Sequence, residues 1–238
     1  METKDYILCD DTKTLMRVKD FNIKSATIPE GITELGEASC AFCFDLANVS
    51  LPESVTKIND TAFFGCLRLA SINMPKEIAK IGRGAFAFCM SLTSLTLSEK
   101  LKEIGNEAFS RCQGLVSINW PESLTKIGER AFVGCNMASV IIPGKIKTIP
   151  RYCFIHCKSL TSASLPEGIE KIEEGAFAKC SSLTTITMKS QKADEIDVSK
   201  DAFMEVPLDN CTLVVPEGSA ESYRKHPVFE LFKNITTQ

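Results

Sequence analysis

The chain has 238 residues and a mass of 26.1 kDa, and its 27 basic and 30 acidic side chains give a formal net charge of −3. This balance provides no basic field for nucleic acid, and the apolar runs are far shorter than the ~20 residues that span a bilayer. The first residues lack the basic start and apolar core of a secretory signal, so the sequence as given carries none.

Residues 4–18 contain two short apolar runs on either side of a polar turn. This pattern predicts a β-hairpin. We expect residues 1–22 to form an N-terminal cap over the structure that follows.

The next part of the chain repeats itself with a period of about 23 residues. Seven cysteines follow one another at spacings of 23, 23, 23, 23, 22 and 23 residues, and prolines keep the same period. The repeating cysteines are Cys43, Cys66, Cys89, Cys112, Cys135, Cys157 and Cys180. A single repeat cannot bury its apolar positions alone, so about seven repeats over residues 23–189 are expected to stack into a solenoid.

Each repeat contains three predicted segments. A Leu-x-x-Ile-x-Leu stretch alternates with period two and ends at proline, which predicts a strand. A Leu-x-x-Ile-Gly stretch predicts a second short segment, extended or turn, and Ala-Phe-x-x-Cys predicts one helical turn.

The period fails after Lys189, and residues 190–238 are expected to be a degenerate last repeat and a C-terminal cap of the same continuous domain. The stretch from Cys211 to Pro216 predicts a last strand. A short helix is expected from Glu217 to His226, with Ser219 as its N-cap. Three apolar residues would then cover the open end: Phe229, Phe232 and Ile235.

The Ala-Phe-x-x-Cys and Leu-Pro-x-x-Leu-x-x-Ile-Gly motifs of residues 23–189 resemble the BspA-like subfamily of leucine-rich repeats. The resemblance implies a curved, horseshoe-type α/β solenoid that is mostly β, with short helical turns and a parallel sheet on its concave side. It also implies a bacterial cell-surface or secreted adhesive role.

The cysteines allow three interpretations. Cys40-x-x-Cys43 and Cys153-x-x-His156-Cys157 suggest a metal site, and the first of them also suggests redox chemistry. The third interpretation is a buried column of thiols. The repeat favours the third, because Cys40 and Cys153 occupy positions that hold Phe and Ala in other repeats. We expect free thiols that act as small apolar groups, some of them donating to carbonyls of the next coil.

No catalytic arrangement is apparent in the sequence. His156 and His226 lie 70 residues apart, and neither has a nucleophile or carboxylate partner suggested by spacing. The glycines fall at turn positions rather than in a phosphate-binding loop. The sequence therefore predicts neither an enzyme nor a bound cofactor or metal.

Two columns of small polar residues alternate with the buried positions of the strands, and both are expected on the concave face. The first column is Asn48, Ser71, Ser94, Ser117, Ser139 and Ser162, and the second is Ser50, Asn73, Thr96, Asn119, Ile141 and Ser164. Such a face can bind a glycan or an extended chain through many hydrogen bonds. It can also be a spacer, with recognition on a flank or cap, or an ordinary β-compatible surface.

The leading hypothesis is a monomeric, non-enzymatic binding module that recognises a protein or a glycan by a rigid surface. The family resemblance favours adhesion at a bacterial cell surface. The alternative is a cytoplasmic scaffold that binds an intracellular partner, which fits the N-terminal sequence as given.

Overall fold

The computed structural model describes residues 5–9 and 13–238, which form a stack of coils joined by parallel strands. Most coils contribute one strand to a front sheet, one strand to a back sheet, and a turn segment that connects the back strand to the next front strand. Within the described ranges, no helix has the length and apolar character needed to span a bilayer.

The front strands come from the Leu-x-x-Ile-x-Leu stretches and the back strands from the Leu-x-x-Ile-Gly stretches, as predicted. In chain order the strands are β1 (Tyr6–Leu8), β2 (Thr14–Val18), β3 (Ser25–Thr27), β4 (Glu34–Leu35), β5 (Asn48–Ser50), β6 (Lys57–Ile58), β7 (Ser71–Ile72), β8 (Lys80–Ile81), β9 (Ser94–Leu95), β10 (Glu103–Ile104), β11 (Ser117–Ile118), β12 (Lys126–Ile127), β13 (Ser139–Ile141), β14 (Thr148–Ile149), β15 (Ser162–Leu165), β16 (Lys171–Ile172), β17 (Thr185–Met188), β18 (Asp197–Val198), β19 (Thr212–Val215) and β20 (Asn234–Thr237).

The front sheet is divided into three pieces, with the strand orders β3-β5-β7, β9-β11 and β13-β15-β17-β19-β20. The back sheet runs without interruption from β2 through β4, β6, β8 and β10 to β12, and continues separately as β14-β16-β18. At the boundary after β11 and β12, both sheets therefore stop together. The repeat from Cys135 to Cys157, one residue shorter than the others, begins at this boundary.

The turn segment differs from the helical turn expected at Ala-Phe-x-x-Cys. Ala87 and Cys89 donate their N–H groups three residues back, at 3.0 and 3.1 Å, but Phe86 and Phe88 donate to carbonyls of the next coil, at 2.8 Å each. Gly84 and Phe88 have positive φ values of 58° and 62°. The segment is thus a series of turns that share their hydrogen bonds with the next coil, which explains why it does not become helical.

The core consists of stacked columns of identical residues. Successive phenylalanine rings stack nearly parallel at centroid distances of 5.2 to 5.5 Å, and all six are fully buried. These residues are Phe63, Phe86, Phe109, Phe132, Phe154 and Phe177. Trp120 packs edge-on against Phe132 and Phe154, with centroids 5.2 and 6.5 Å away, and fills the front of the boundary where both sheets stop.

The N-terminal hairpin forms from the described residues of 4–18, since β1 pairs antiparallel with β2, and β2 continues into the back sheet beside β4. Residues 1–4 and 10–12 of the predicted cap lie outside the described residues.

The C-terminal end departs from prediction in two details. The helix α1 spans Ala220–Lys225, but Ser219 makes no side-chain cap, because its hydroxyl donates to the Pro216 carbonyl at 2.7 Å. The strand at Thr212–Val215 is not the last, since residues 234–237 add a further parallel strand beside it. Phe229 and Phe232 are buried as expected, whereas Ile235 lies half-buried in the added strand.

Candidate binding surfaces

The two predicted columns of small residues lie together on the front sheet, and every member is exposed or half-buried. The sheet register sets equivalent residues side by side, so that Ser94 pairs with Ser117 and Ser139 with Ser162. The structure therefore brings the predicted residues onto one face. That this face binds a ligand stays a prediction.

Two asparagines of this face bond the main chain of a neighbouring coil, and Ser71 donates to Asn48 Oδ1 at 3.1 Å. Leu97 donates its N–H to Asn119 Oδ1 at 2.5 Å, and Asn119 Nδ2 donates to the Leu97 carbonyl at 3.3 Å. Asn73 makes the same pair of bonds with Leu51. The two asparagines therefore hold neighbouring coils together, and the hydroxyl groups beside them supply most of the remaining polar character.

A groove of about 810 Å³ opens on the front face where no ladder joins β7 to β9, although both strands are fully described. It is lined by residues 70–74 and 94–100 together with Lys76 and Glu77. An ion pair of 2.6 Å between Lys100 and Glu77 links the two coils beside it. The groove combines apolar and hydroxyl-bearing walls on the predicted face.

A second surface, not anticipated from the sequence, lies on the turn segments. We call it the turn-side patch, and its members are Phe42, Phe44, Phe64, Leu67, Phe88 and Met90. Phe42 and Phe44 are 52% and 53% exposed, and the other members are exposed or half-buried. The rings meet edge to face, with centroids 5.4 Å apart from Phe42 to Phe64 and from Phe64 to Phe88. The result is a continuous apolar surface across three coils.

The backbone of the patch has a positive φ that recurs at the same position along the stack, for example at Arg111 and His156. Phe42 and Phe88 both have φ of 62°, a region that bulky residues rarely adopt. Between them, Gly65 has φ of 72°, and a Cβ there would lie 3.3 Å from the Phe42 ring. Glycine at this position thus lets the Phe42 ring lie over the neighbouring coil.

The sequence does contain a signal for this patch. Its members occupy the variable positions within and just after the Ala-Phe-x-x-Cys motif, and phenylalanine stands at those positions only in the three coils from Phe42 to Met90. The two exposed strand columns contain no aromatic residue, so the predicted face did not include these positions.

The cysteines form the expected buried column but bond in the opposite direction along the stack. The Sγ atoms of Cys89, Cys112 and Cys135 donate to phenylalanine carbonyls of the preceding coil at 3.3, 3.0 and 3.2 Å, rather than to the next coil. Burial raises the pKa of Cys66 and of Cys112 to about 12. These thiols are therefore protonated at neutral pH, which makes them poor nucleophiles.

Each candidate metal motif contributes one cysteine to this column, Cys43 or Cys157, and a second cysteine to another buried position of the same coil. Cys40, Cys43, Cys153 and Cys157 are all buried, and burial raises the pKa of each thiol. Among the described residues, no group of three or more His, Cys, Asp or Glu side chains is placed to hold a metal ion.

Comparisons with known proteins agree with the repeat architecture. A search of curated protein sequences gives no match. Among solved structures, the chain is similar to a leucine-rich repeat protein of T. pallidum, with 25% identity, a TM-score of 0.60, and coverage of 93% of this chain and 92% of that one. It also has the fold of a leucine-rich repeat protein from Bacteroides ovatus, with 19% identity, a TM-score of 0.63, and coverage of 100% and 76%. The pneumococcal vaccine antigen PcpA gives 19% identity, a TM-score of 0.62, and coverage of 91% and 68%.

The model of the BspA type leucine rich repeat region matches six copies, over residues 18–113 and 79–209. Leucine-rich repeats form a fold that is generally used for protein binding and is typically not enzymatic. The matched residues cover most of the chain, and the protein therefore belongs to the BspA-type leucine-rich repeat family.

Proposed function

We propose that this chain is a non-enzymatic binding module that engages another protein through the turn-side patch. The observation that carries the proposal is the exposure of Phe42 and Phe44, each about half accessible, within a continuous aromatic surface. Exposed contiguous apolar patches on folded proteins mark interaction sites, and aromatic residues dominate the energetics of protein interfaces.

The exposure of Phe88 extends the same surface into a third coil. Positive φ at the position of Phe42 and Phe88 recurs along the stack, for example at Arg111 and His156, so it belongs to the repeat and is independent of binding. Exposed rings do not favour folding, so the two phenylalanines are explained better by binding than by stability.

The rigid stack suits this role, because its surface is ordered before the partner arrives. Side chains in the patch already pack against one another, so binding orders few additional rotamers. The partner we propose is a protein with apolar side chains, which can cover the rings and exclude water from them.

The front groove is a second candidate site. Its hydroxyl-lined walls and the exposed columns beside it suit a glycan or an extended chain, as expected from the small polar residues of the strands. Two settings are compatible with either surface: adhesion at a bacterial cell surface and scaffolding in the cytoplasm. Immunodetection of the protein in surface and cytosolic fractions of its source cells separates these settings.

A peptide display selection on the immobilised full chain tests the proposal. The variant for comparison is F42N/F88N, because asparagine tolerates positive φ better than other non-glycine residues and removes the rings without breaking the turns. Enriched peptides should bind F42N/F88N at least roughly tenfold more weakly than the original chain.

The matched controls are Val116→Asn and Ile141→Asn, since these apolar side chains are 55% and 62% exposed outside the patch. Both controls should bind the enriched peptides normally. Unchanged binding to F42N/F88N would contradict the proposal, and so would the absence of any enriched peptide. Loss of binding in Ser94→Arg instead would assign the site to the front groove.

A further inference from the structure

Two of the positions that form the turn-side patch carry basic residues in several of the coils that follow. Along the stack, the position of Phe42 is occupied in turn by Phe42, Gly65, Phe88, Arg111, Gly134, His156 and Lys179. The position of Phe44 is occupied by Phe44, Leu67, Met90, Gln113, Asn136, Lys158 and Ser181. The same flank of the solenoid is thus apolar at its N-terminal end and basic further along.

We call Arg111, His156, Lys158 and Lys179 the basic strip. The pKa of His156 is lowered, first by partial burial and then by the charges of Lys179, Arg111 and Lys158, with Glu205 acting in the opposite sense. The repeat places these four side chains directly before or after a cysteine of the buried column, so they lie along one flank of the stack.

Carboxylates neutralise only part of the positive charge of the basic strip. Lys179 pairs with Glu205 at 3.4 Å. In the part of the chain that the structure describes, no carboxylate lies within ion-pair distance of Arg111 or Lys158. The Arg111 side chain extends over Gly134, where its Nη1 would lie 3.6 Å from an added Cβ. Arg111 and Lys158 therefore remain available to an acidic group from outside.

We infer that the partner is a polypeptide segment with apolar and acidic side chains, whose apolar part covers the turn-side patch and whose acidic part lies on the basic strip. This inference rests on the proposed function, since it takes the patch as the site of contact. The complementary charge fixes the orientation of the bound segment, because only one orientation places its apolar part on the turn-side patch and its acidic part on the basic strip.

The dimensions fit a short extended segment. Six coil steps separate Phe42 from Lys179, and strands in adjacent coils lie about 4.8 Å apart, which gives a surface roughly 29 Å long. An extended chain rises about 3.3 Å per residue, so about nine residues reach from one end to the other.

A polypeptide fits this surface better than single-stranded nucleic acid. Nucleic-acid grooves combine a basic track with ring faces on which bases stack. Here the rings of Phe42, Phe64 and Phe88 meet edge to face rather than offering open faces, and the patch includes Leu67 and Met90. Arg17 lies beside Phe42 and Phe44, but the cations of the basic strip lie beyond the rings and form no track among them.

The test uses peptides from the display selection on the full chain. Enriched sequences should contain an apolar cluster and an acidic cluster within about ten residues. Their affinity, measured by fluorescence anisotropy, should fall roughly tenfold in R111E/K158E. It should also fall as salt rises from about 50 to about 300 mM, because exposed charges are screened.

The control is K102E/K145E, which makes the same change of net charge at exposed lysines outside the strip. It should alter affinity by less than about twofold. An equal loss in both double variants, or displacement of the peptides by an oligo-dT strand, would overturn the inference. Peptides that depend on Phe42 and Phe88 but carry no acidic residues would also overturn it, while leaving the proposed function intact.

Discussion

The side-chain amide of Asn73 occupies both main-chain groups of Leu51 in the preceding coil. Leu51 donates its N–H to Asn73 Oδ1 at 2.7 Å, and Asn73 Nδ2 donates to the Leu51 carbonyl at 2.8 Å. The Leu51 carbonyl takes its hydrogen bond from Asn73 Nδ2 because Pro75, which occupies the proline position of the repeat, has no N–H to donate. Where Lys189 replaces that proline, its own N–H donates to the Leu165 carbonyl at 3.2 Å.

Asn73 Oδ1 likewise replaces an acceptor, the main-chain carbonyl that other coils use at this position. In a coil without this asparagine, Ile142 donates its N–H to the main-chain carbonyl of Ser164 at 2.9 Å. Asn73 therefore substitutes its side chain for a carbonyl and for a missing N–H at once. Asn119 does the same for Leu97, and both asparagines lie just after the last strand of a piece of the front sheet.

Replacement of this asparagine should destabilise the protein. Asn73→Ala leaves both Leu51 groups without their partners, and the expected cost is about 1–3 kcal/mol in the free energy of unfolding. Urea denaturation measures it. The control is Thr96→Ala, at the equivalent exposed position of the next coil, which should change stability by less than about 0.5 kcal/mol. Equal effects of the two substitutions would refute the bridging role.

A substitution in the phenylalanine column should lower the free energy of unfolding more than Asn73→Ala does. Phe109 is fully buried between Phe86 and Phe132, with both centroids 5.4 Å away. Phe109→Ala should lower the free energy of unfolding by about 3–5 kcal/mol, because it removes a ring and leaves a cavity. A loss below about 1 kcal/mol in chemical denaturation would show that the column does not carry the core.

Stability should fall at alkaline pH because of the cysteine column. Burial raises the pKa of Cys112 and of Cys180 to about 12 from an ordinary value near 9. Since the folded thiols stay protonated while the unfolded ones ionise, stability is fully present below about pH 9 and declines towards pH 12. Each such thiol contributes a slope of about 1.4 kcal/mol per pH unit.

Thermal unfolding monitored by circular dichroism between pH 7 and 10.5 measures this decline. The variant Cys112→Ala removes one thiol, so its stability should decline less steeply with pH than that of the original chain. Parallel pH profiles for the two proteins would argue against buried protonated thiols as the cause.

His156 should destabilise the folded state in acid. Its pKa is lowered by partial burial and by Lys179, Arg111 and Lys158, so the folded state binds the proton less readily than the unfolded state does. Stability should therefore fall as pH decreases through about 6.5, the ordinary histidine value. His156→Asn, which tolerates the same positive φ of 62°, should lack this acid-dependent loss.

The melting temperatures of both proteins between pH 5 and 8 provide the measurement. The difference between them should grow as pH falls and remain constant above pH 7. A difference that does not vary with pH would mean that the substitution acts only through the backbone conformation.

The period of the cysteines and prolines was sufficient to predict the parallel stack and the buried residues. Equivalent positions of successive repeats share the same environment, so the sequence alone was enough to place Cys40 in the phenylalanine column. The turn segments could not be predicted in the same way. Phe86 and Phe88 send their N–H groups to the next coil, and nothing in a single repeat distinguishes this pattern from a helical turn.

The candidate site was predicted only in part. The columns of small residues lie on one exposed face, as expected from period-two alternation. The roles of Asn73 and Asn119 depend on contacts with neighbouring coils, and an asparagine that binds a ligand has the same sequence pattern. The turn-side patch arises from variable positions, which a consensus repeat disregards by construction.

The coincident end of both sheets after β11 and β12 has a consequence for how the molecule comes apart. Across that seam the remaining links include the turn-segment bonds, such as Phe132 N–H to the Cys153 carbonyl at 3.0 Å, the bond from Asn136 N–H to the Leu115 carbonyl at 3.1 Å, and the packed core, to which Trp120 contributes. With neither sheet ladder continuing there, the stack should open first at this seam, where the single tryptophan of the chain stands.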